Sequence, residues 1–225
     1  MKERPILFSA PMVRALLAGT KTQTRRVVKP QPRILAGELL CWKDDALTDD
    51  QMAACSPYGQ PGDRLWVREA FRFPESIDHL SPAEIGEKAL AAGYPKPWCP
   101  IQFEADGLRR TAQEWRDFVT PPRANEAGRL RAGMHMPRWA SRITLEVTGV
   151  RVERLQDISE ADAIAEGIER VTVKAGATVY PLGNRYSHDA VEAYSNLWEQ
   201  INGPESWATN PWVWIVEFRR LEAAC

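Results

Sequence analysis

The stretch Leu16–Arg26, LLAGTKTQTRR, concentrates residue types that can carry out hydrolysis. Its polar members include one lysine, two threonines and two arginines that follow in quick succession: Lys21, Thr22, Thr24, Arg25 and Arg26. Burial lowers the pKa of a lysine, which can then act as a general base, and a neighbouring hydroxyl can act as the nucleophile. Guanidinium groups close by suit carbonyl or phosphate oxygens. By composition alone such a stretch is usually a polar turn, and that interpretation is favoured over a catalytic one on these residues by themselves.

A helix before this stretch and an extended segment after it are predicted to hold it in place. Ser9 is a good N-cap, and Pro11 falls in the first helical turn, where its missing N–H does no harm. Gly19 is the natural residue just beyond the end of that helix. The chain is then predicted to leave the helix through Thr20–Arg26, and the apolar run Pro5–Ser9 ahead of the helix is predicted to be a strand.

The rest of the chain shows both strand and helix patterns. Alternating apolar residues predict strands at Arg64–Phe71, Ile143–Val152 and Trp212–Phe218. Spacing and capping residues predict helices at Pro82–Ala91, between Ser159 and Gly167, and at Asp189–Ile201. In the second of these, Ser159 is the predicted N-cap, and Asp162 completes an approximate capping box. Residues 31–60 have no clear period and are predicted to form loop. Strands separated by single short helices, without a βαβ rhythm, predict an α+β fold, a small mixed β-barrel with a few helices packed outside.

Length and composition indicate one soluble globular domain. At 225 residues the chain can bury a real core, and we predict a single domain over residues 1–225. A Pro-, Trp- and Arg-rich segment at about residues 74–137 lacks a strong apolar period and is predicted to be a large insertion in that domain. The net charge of −1 argues against a protein that coats nucleic acid by charge alone.

One part of the insertion and the residues after it are strongly basic. Between Arg109 and Arg142, eight arginines stand against three acidic residues. Such a block forms either a solvated surface or a local basic face, and the first interpretation is favoured.

The sequence predicts a cytoplasmic protein that has no metal and no cofactor. The cysteines are far apart and form no CxxC pair: Cys41, Cys55, Cys99 and Cys225. The apolar N-terminal run is interrupted by Pro5, Pro11 and Arg14, which is unlike a signal sequence. No segment approaches the roughly 20 apolar residues that a membrane span needs, so no membrane partner is expected.

Several motifs, taken in order, resemble the ASCH domain family. They are a helix ending in AG followed by TKTQTRR, then PGDRLWVRE, ITLEVTGV, LQDISEADAIAEGI and NPWVWIVEF. The segments HMPRWASRITLEV and FEADG are similar to longer ASCH proteins encoded by bacteriophages and prophages. The resemblance implies a β-barrel similar to the RNA-reading PUA domain. It covers both ends and most of the middle, and leaves out roughly residues 35–60, 74–135 and 170–188.

The resemblance also implies an activity. The smallest bacterial members of the family are amidohydrolases that remove the acetyl group from N4-acetylcytidine. Their catalytic lysine and threonine lie in a G-x-K-T-x-T motif, which matches Gly19, Lys21, Thr22 and Thr24 here, and their glutamate lies near the end of a helix, which corresponds to Glu166. The implied catalytic set is therefore Lys21 as base, Thr24 as nucleophile or water holder, and Glu166 as acid or orienting group.

The implied substrate is a modified cytidine nucleoside, hydrolysed without a metal. Substrate binding is assigned to Thr22, Arg25, Arg26 and Trp66. The arginines would stabilise carbonyl oxygens or a phosphate, and the tryptophan would stack on the base. A tryptophan in such a strand belongs more often to a barrel core than to a stacking platform, so the residue pattern by itself favours the core interpretation of Trp66.

Two other functions stay open. A non-catalytic PUA-like module that binds RNA or modified nucleic acid would show a continuous basic groove from Arg25 and Arg26 to the arginines of residues 109–142. Ribonuclease activity, attributed to some ASCH proteins, is disfavoured because the sequence shows no histidine pair for acid–base work. An amidohydrolase would instead bring Lys21, Thr24 and Glu166 to one pocket.

Overall fold

The structure is a computed structural model that describes residues 1–34, 40–43, 45–110, 127–173, 176–182 and 185–222. The chain divides into two compact units. The first unit comprises Met1–Lys2, Ala15–Arg64 and Leu145–Arg220, and the second comprises Glu3–Arg14, Leu65–Thr144 and Leu221–Cys225.

The described residues form short strands and five α-helices. The strands are β1 (Glu3–Leu7), β2 (Gln23–Val27), β3 (Arg33–Ile34), β4 (Leu40–Trp42), β5 (Asp45–Leu47), β6 (Arg64–Arg68), β7 (Phe71–Arg72), β8 (Ile101–Phe103), β9 (Arg109–Arg110), β10 (Thr144–Arg154), β11 (Val171–Thr172), β12 (Thr178–Leu182), β13 (Arg185–Ser187) and β14 (Trp212–Leu221). The helices are α1 (Ala10–Leu17), α2 (Asp49–Ala54), α3 (Pro82–Ala91), α4 (Glu160–Ala165) and α5 (Ala190–Asn202). The α+β class is thus confirmed, and the strands in these ranges form no closed barrel.

In the first unit, β14 lies between β10 and β2. β14 and β2 pair antiparallel, so that Ile215 lies opposite Arg25 and Val216 lies opposite Thr24. Because successive side chains of a strand point to opposite faces, Arg25 and Thr24 lie on different faces of this sheet. Helices α4 and α5 pack against the Arg25 face through a buried cluster that includes Ala163, Tyr194, Trp198, Val213 and Ile215.

The loop predicted for residues 31–60 is wrong over much of its length. Here β3 pairs with β4 and β4 pairs with β5, and α2 follows. Helix α2 begins with a capping box, in which the Thr48 hydroxyl accepts from the Gln51 N–H and the Gln51 side chain accepts from the Thr48 N–H. This T-x-x-Q pattern is a local start signal that apolar periodicity does not register. Residues 35–39 and 44 of the predicted loop lie outside the described residues.

The second unit has its own apolar cluster. Strands β1 and β6 are neighbours there, and β7, β8 and β9 form a separate sheet. Helix α3 begins with a capping box formed by Ser81 and Glu84. The buried cluster includes Phe71, Phe73, Ile77, Ile85, Ile101, Phe103 and Met136. Much of it falls within residues 74–137, the predicted insertion, of which residues 111–126 lie outside the described residues. The single-domain organisation stays a prediction.

Most of the remaining element predictions are confirmed, with small shifts at the ends. The strand predicted at Arg64–Phe71 is the exception, because it ends at Arg68 and Phe71 belongs to β7 in a different sheet. The Pro82–Ala91 helix has the bounds that the sequence predicts, and the last strand extends to Leu221. Asp189 caps α5 by accepting from the Val191 N–H. Of the helices in the described ranges, none is long and apolar enough to cross a bilayer.

Candidate active site

Lys21 lies where the chain passes from α1 to β2. Gly19 adopts a left-handed conformation just after α1, with φ +75°, and the Lys21 N–H donates to the Ala15 carbonyl at 3.2 Å. Lys21 then forms an isolated antiparallel bridge with Glu166, the residue that ends α4. The next N–H, that of Thr22, donates to an α4 carbonyl at 2.8 Å. Backbone contacts therefore already place Lys21 beside the C-terminal end of α4.

Gly167 permits this close approach. Its φ is +93°, and a Cβ built on it would lie 2.9 Å from the Ala15 Cβ and 3.1 Å from the Lys21 Cβ. A side chain at this position would therefore be strained by its backbone conformation and would also push against two neighbours. The helix-ending glycine that the sequence predicts thus also lets Lys21 pack directly against the turn after α4.

The Lys21 ammonium and the Glu166 carboxylate form a buried ion pair. Nζ donates to the Glu166 backbone carbonyl at 2.7 Å and to Oε2 at 2.8 Å. The exposed fraction of the side chain is 0% for Lys21 and 4% for Glu166. Burial lowers the pKa of Lys21, Glu166 opposes that shift, and the charges of Arg26 and Arg25 add to it. The net effect favours a neutral amine more than in a lysine exposed to water.

Arg25 binds the other oxygen of the same carboxylate. Its Nη1 lies 3.3 Å from Glu166 Oε1, and its Nη2 lies 3.1 Å from Asp162 Oδ2. The Arg25 side chain has no exposed surface. Glu166 is therefore held between two cations, one on each carboxylate oxygen, and its orientation is fixed from both sides.

A second layer of charges surrounds Asp162. Its carboxylate also accepts from Arg151 at 3.1 and 3.2 Å, and Gln23 donates to its backbone carbonyl at 3.1 Å. Arg151 in turn binds Glu153 and Glu217. Burial would raise the pKa of Asp162, but the adjacent guanidinium groups of Arg25 and Arg151 outweigh it, so the pKa lies below its ordinary value. Asp162 is therefore a charged carboxylate that anchors Arg25.

The sequence assigned Asp162 a different role. It was expected to complete an approximate capping box with Ser159. Ser159 does accept from the Asp162 N–H at 3.1 Å, but the Asp162 carboxylate binds Arg25 and Arg151 instead. The sequence does indicate that Asp162 and Glu166 lie near each other, since residues four apart are on the same face of a helix. Their shared cation, Arg25, could not be identified from that spacing.

The other predicted site residues lie in different surroundings. Thr24 is 1% exposed and lies opposite Val216, on the sheet face away from Arg25. Arg26 lies opposite Trp214 on that same face and is half-buried, while Thr22 is exposed. The structure thus brings Lys21, Glu166 and Arg25 together, with Thr24 and Arg26 on the other face of β2. The predicted convergence of Lys21, Thr24 and Glu166 is therefore met for Lys21 and Glu166 and is wrong for Thr24.

Trp66 belongs to the second unit. Its ring lies 5.5 Å from the Arg68 guanidinium carbon and 6.0 Å from that of Arg138. It is half-buried. Its predicted stacking on a base stays a prediction.

The cluster has the components of acid–base chemistry. A lysine with a lowered pKa can accept a proton, and the carboxylate in contact with it can orient that amine and relay the proton. Tyr194, buried beneath this cluster in α5, has its pKa raised well above the ordinary value by burial and by the charge of Glu166, so its phenol stays neutral. Across the described residues, no group of three His, Cys, Asp or Glu side chains is arranged to hold a metal ion.

Comparison of the chain with protein-family models, with curated proteins and with solved structures finds no match.

Proposed function

We propose that the chain is a metal-independent amidohydrolase of the ASCH family, with a PUA-like fold. It would remove the acyl group from N4-acetylcytidine or a related N4-acylated cytosine nucleoside. The observation that carries this proposal is the buried contact of 2.8 Å between Lys21 Nζ and Glu166 Oε2, in surroundings that lower the pKa of the lysine. An amine of this kind accepts a proton nearer to neutral pH than an ordinary lysine does.

The proposed reaction begins with proton transfer to Lys21. The neutral amine takes a proton from a water molecule, and the water oxygen attacks the acyl carbon; Thr24 is not assigned as the nucleophile, because its side chain lies on the other face of β2. The bond between the acyl carbon and N4 then breaks, and the proton returns by way of Glu166 to the exocyclic nitrogen. The products are cytidine and the carboxylic acid.

Only one of the two arginines takes part in this scheme. Arg25 is engaged by Glu166 and Asp162, so it positions the carboxylate that faces Lys21. Arg26, the guanidinium that the sequence assigned to the acyl oxygen, lies on the other face of β2 and is therefore left out of this scheme. Thr22 is exposed beside the lysine and is assigned to substrate contact.

A second candidate is a non-catalytic module that binds RNA or modified nucleic acid. The observation in its favour is the enclosure of the cluster, because the side chains of Lys21 and Arg25 have no exposed surface. In that case the pair would serve only to join β2 to α4. The two candidates differ in whether turnover depends on Lys21.

The test is hydrolysis of N4-acetylcytidine by the purified protein, followed by ultraviolet absorbance. We expect turnover by the wild type and a fall in kcat/KM of about 100-fold or more in Lys21→Met, since general-base catalysis contributes factors of this size. Lys29→Met is the matched control, because Lys29 is exposed just beyond β2 and should keep full activity. Circular dichroism of each variant checks that it is folded.

Two outcomes would overturn the proposal. The first is a folded wild type that hydrolyses neither N4-acetylcytidine nor larger N4-acyl analogues, which would favour the binding module. The second is turnover that Lys21→Met leaves unchanged, which would place the chemistry elsewhere.

A further inference from the structure

The basic block predicted at residues 109–142 is divided by the structure into arginines with different surroundings. Arg142 binds Glu69 and Asp106 through several hydrogen bonds of about 3 Å, and Arg138 binds Glu3. Arg116 and Arg123 lie outside the described residues, as do the side chains of Arg109 and Arg110. The two remaining arginines, Arg129 and Arg131, line one cavity of the second unit.

This cavity has a volume of about 630 Å³ and is also lined by His79 and His135. The two histidines are 56 positions apart in the chain and have no partner pattern in the sequence. Two guanidinium groups and two imidazoles are thus collected at one concave surface. Each can donate hydrogen bonds in every protonation state, because a neutral imidazole retains one N–H.

Arg131 is built into the wall of the cavity. It is 9% exposed, its Nη2 donates to the carbonyls of Asp78 and Leu80 at 3.0 and 3.3 Å, and its guanidinium lies over the ring of Phe73 at 5.1 Å. The same Nη2 lies 3.5 Å from the Asp78 carboxylate. These contacts fix the plane of the guanidinium. Its buried Nε has no hydrogen-bond partner among the described residues. The group is therefore held rigidly. Because Nε is buried and Nη2 is engaged, the donor that Arg131 can offer to a ligand in the cavity is Nη1.

Two further lining residues, Arg129 and Glu84, contribute opposite charges to the cavity. The Arg129 backbone N–H is held by the Asp78 carboxylate, while its side chain is exposed at the rim. Glu84 also lines the cavity, and its carboxylate accepts from the Ser81 N–H at 2.7 Å. Hydrogen bonding from Ser81 lowers the pKa of Glu84, which is therefore charged at neutral pH.

The two acids near the cavity, Asp78 and Glu84, formally balance the two arginines. Attraction by net charge is thus weak, and any anion would be held mainly by hydrogen bonds from the fixed Arg131 and from the exposed side chains of Arg129, His79 and His135. A tetrahedral oxyanion can accept from several directions at once, and guanidinium groups suit phosphate in particular. A planar carboxylate would leave more of these donors unused.

We infer that this cavity of the second unit binds a phosphate group, carried either by a free nucleotide or by the backbone of a single-stranded nucleic acid. The inference goes beyond the proposed amidohydrolase and does not depend on Lys21. It also differs from a continuous basic groove, because the site is a single cavity with four donor side chains.

The first experiment titrates the protein with inorganic phosphate by isothermal titration calorimetry. We expect a dissociation constant in the millimolar range or below, with binding weakened at least fivefold in Arg129→Gln and in His135→Gln. Both residues are exposed, so these changes should leave the fold intact. Arg138→Gln is the matched control, since Arg138 is an exposed arginine of the same unit outside the cavity, and it should bind like the wild type.

Absence of phosphate binding at 20 mM would overturn the inference, as would an equal loss of binding in Arg138→Gln. The second experiment uses cytidine 5′-monophosphate and a ten-nucleotide single-stranded RNA, each in competition with phosphate. Displacement by the nucleotide alone identifies a free nucleotide as the ligand, and tighter displacement by the RNA, weakened by salt, identifies a nucleic-acid backbone. Displacement by neither would overturn the assignment to nucleotide phosphates.

Discussion

The Lys21 ammonium donates to two oxygens of one residue, the backbone carbonyl and the carboxylate of Glu166, 145 positions away in the chain. Glu166 lies at the C-terminal end of α4, where a backbone carbonyl has no hydrogen-bond donor within the helix. The Lys21 ammonium thus supplies the hydrogen bond that this carbonyl lacks and also pairs with the buried carboxylate of Glu166. The following predictions test what this arrangement does.

Glu166→Gln should change the pH dependence of any turnover. Glu166 raises the pKa of Lys21, so its neutral replacement should let that pKa fall further. If the neutral amine is the base, the acid limb of the pH profile for kcat/KM should move to lower pH, while the maximum rate falls because proton relay is lost. A profile that keeps its acid limb in place would show that Lys21 is not the titrating base.

The stability of the protein should depend on pH through Lys21. The unfolded chain, with an ordinary lysine pKa of about 10.4, binds more protons than the folded protein between the lowered pKa and that value. The free energy of unfolding therefore gains a contribution that rises with pH across this window and is complete above it. Urea denaturation from pH 7 to 10 should show this rise in the wild type and in Lys29→Met, and a smaller rise in Lys21→Met. Parallel curves for all three proteins would contradict the buried position of Lys21.

Arg25→Met should destabilise the first unit strongly. It removes a cation shared by two carboxylates, Glu166 and Asp162, and leaves them less well compensated in a buried cluster. We expect a loss of about 3 kcal/mol in the free energy of unfolding, measured by urea denaturation. The matched control is Arg219→Met, which removes an exposed arginine paired with Glu146 and should cost less than about 1 kcal/mol. Equal losses in the two variants would indicate that Arg25 is not enclosed.

Gly167→Ala should disturb the contact between Lys21 and Glu166 by steric overlap. Its Cβ would lie 2.9 Å from Ala15 and 3.1 Å from Lys21, in addition to the strain of a positive φ. We expect a loss of about 2–3 kcal/mol in stability, together with reduced turnover. Gly176→Ala separates the two effects, because Gly176 also has a positive φ, +82°, but a Cβ there meets nothing within 4 Å. That control should cost only about 1 kcal/mol.

The local features of this protein could be predicted from its sequence. Ser9, Gly19, Ser159, Gly167 and Asp189 mark helix ends correctly because capping acts over only a few residues. The α+β class follows from the same local patterns. The loop predicted for residues 31–60 was wrong because that prediction relied on apolar periodicity alone. The start of α2 depends instead on the capping pair Thr48 and Gln51.

The residue types of the candidate site were likewise present in the sequence, but their partners were not. That Lys21 and Glu166 are in contact was implied only by a family resemblance, and that Arg25 completes the pair was not predicted. Strand alternation puts Thr24 and Arg25 on opposite faces of β2, but only the packing of α4 and α5 decides which of these faces is covered by helices. None of these relationships is local in the chain.

The partners of the arginines in the basic block of residues 109–142 could not be predicted from the sequence either. Eight arginines in the sequence look alike, but Arg142 is engaged by two carboxylates, whereas Arg131 pairs with Asp78 and lines a cavity with two distant histidines. Composition and capping act within a turn or two of the chain and are therefore readable from the sequence. The partner of a buried charge is decided by which distant segments pack together, because a charge removed from water needs whatever donors or acceptors the tertiary structure places within about 3 Å of it.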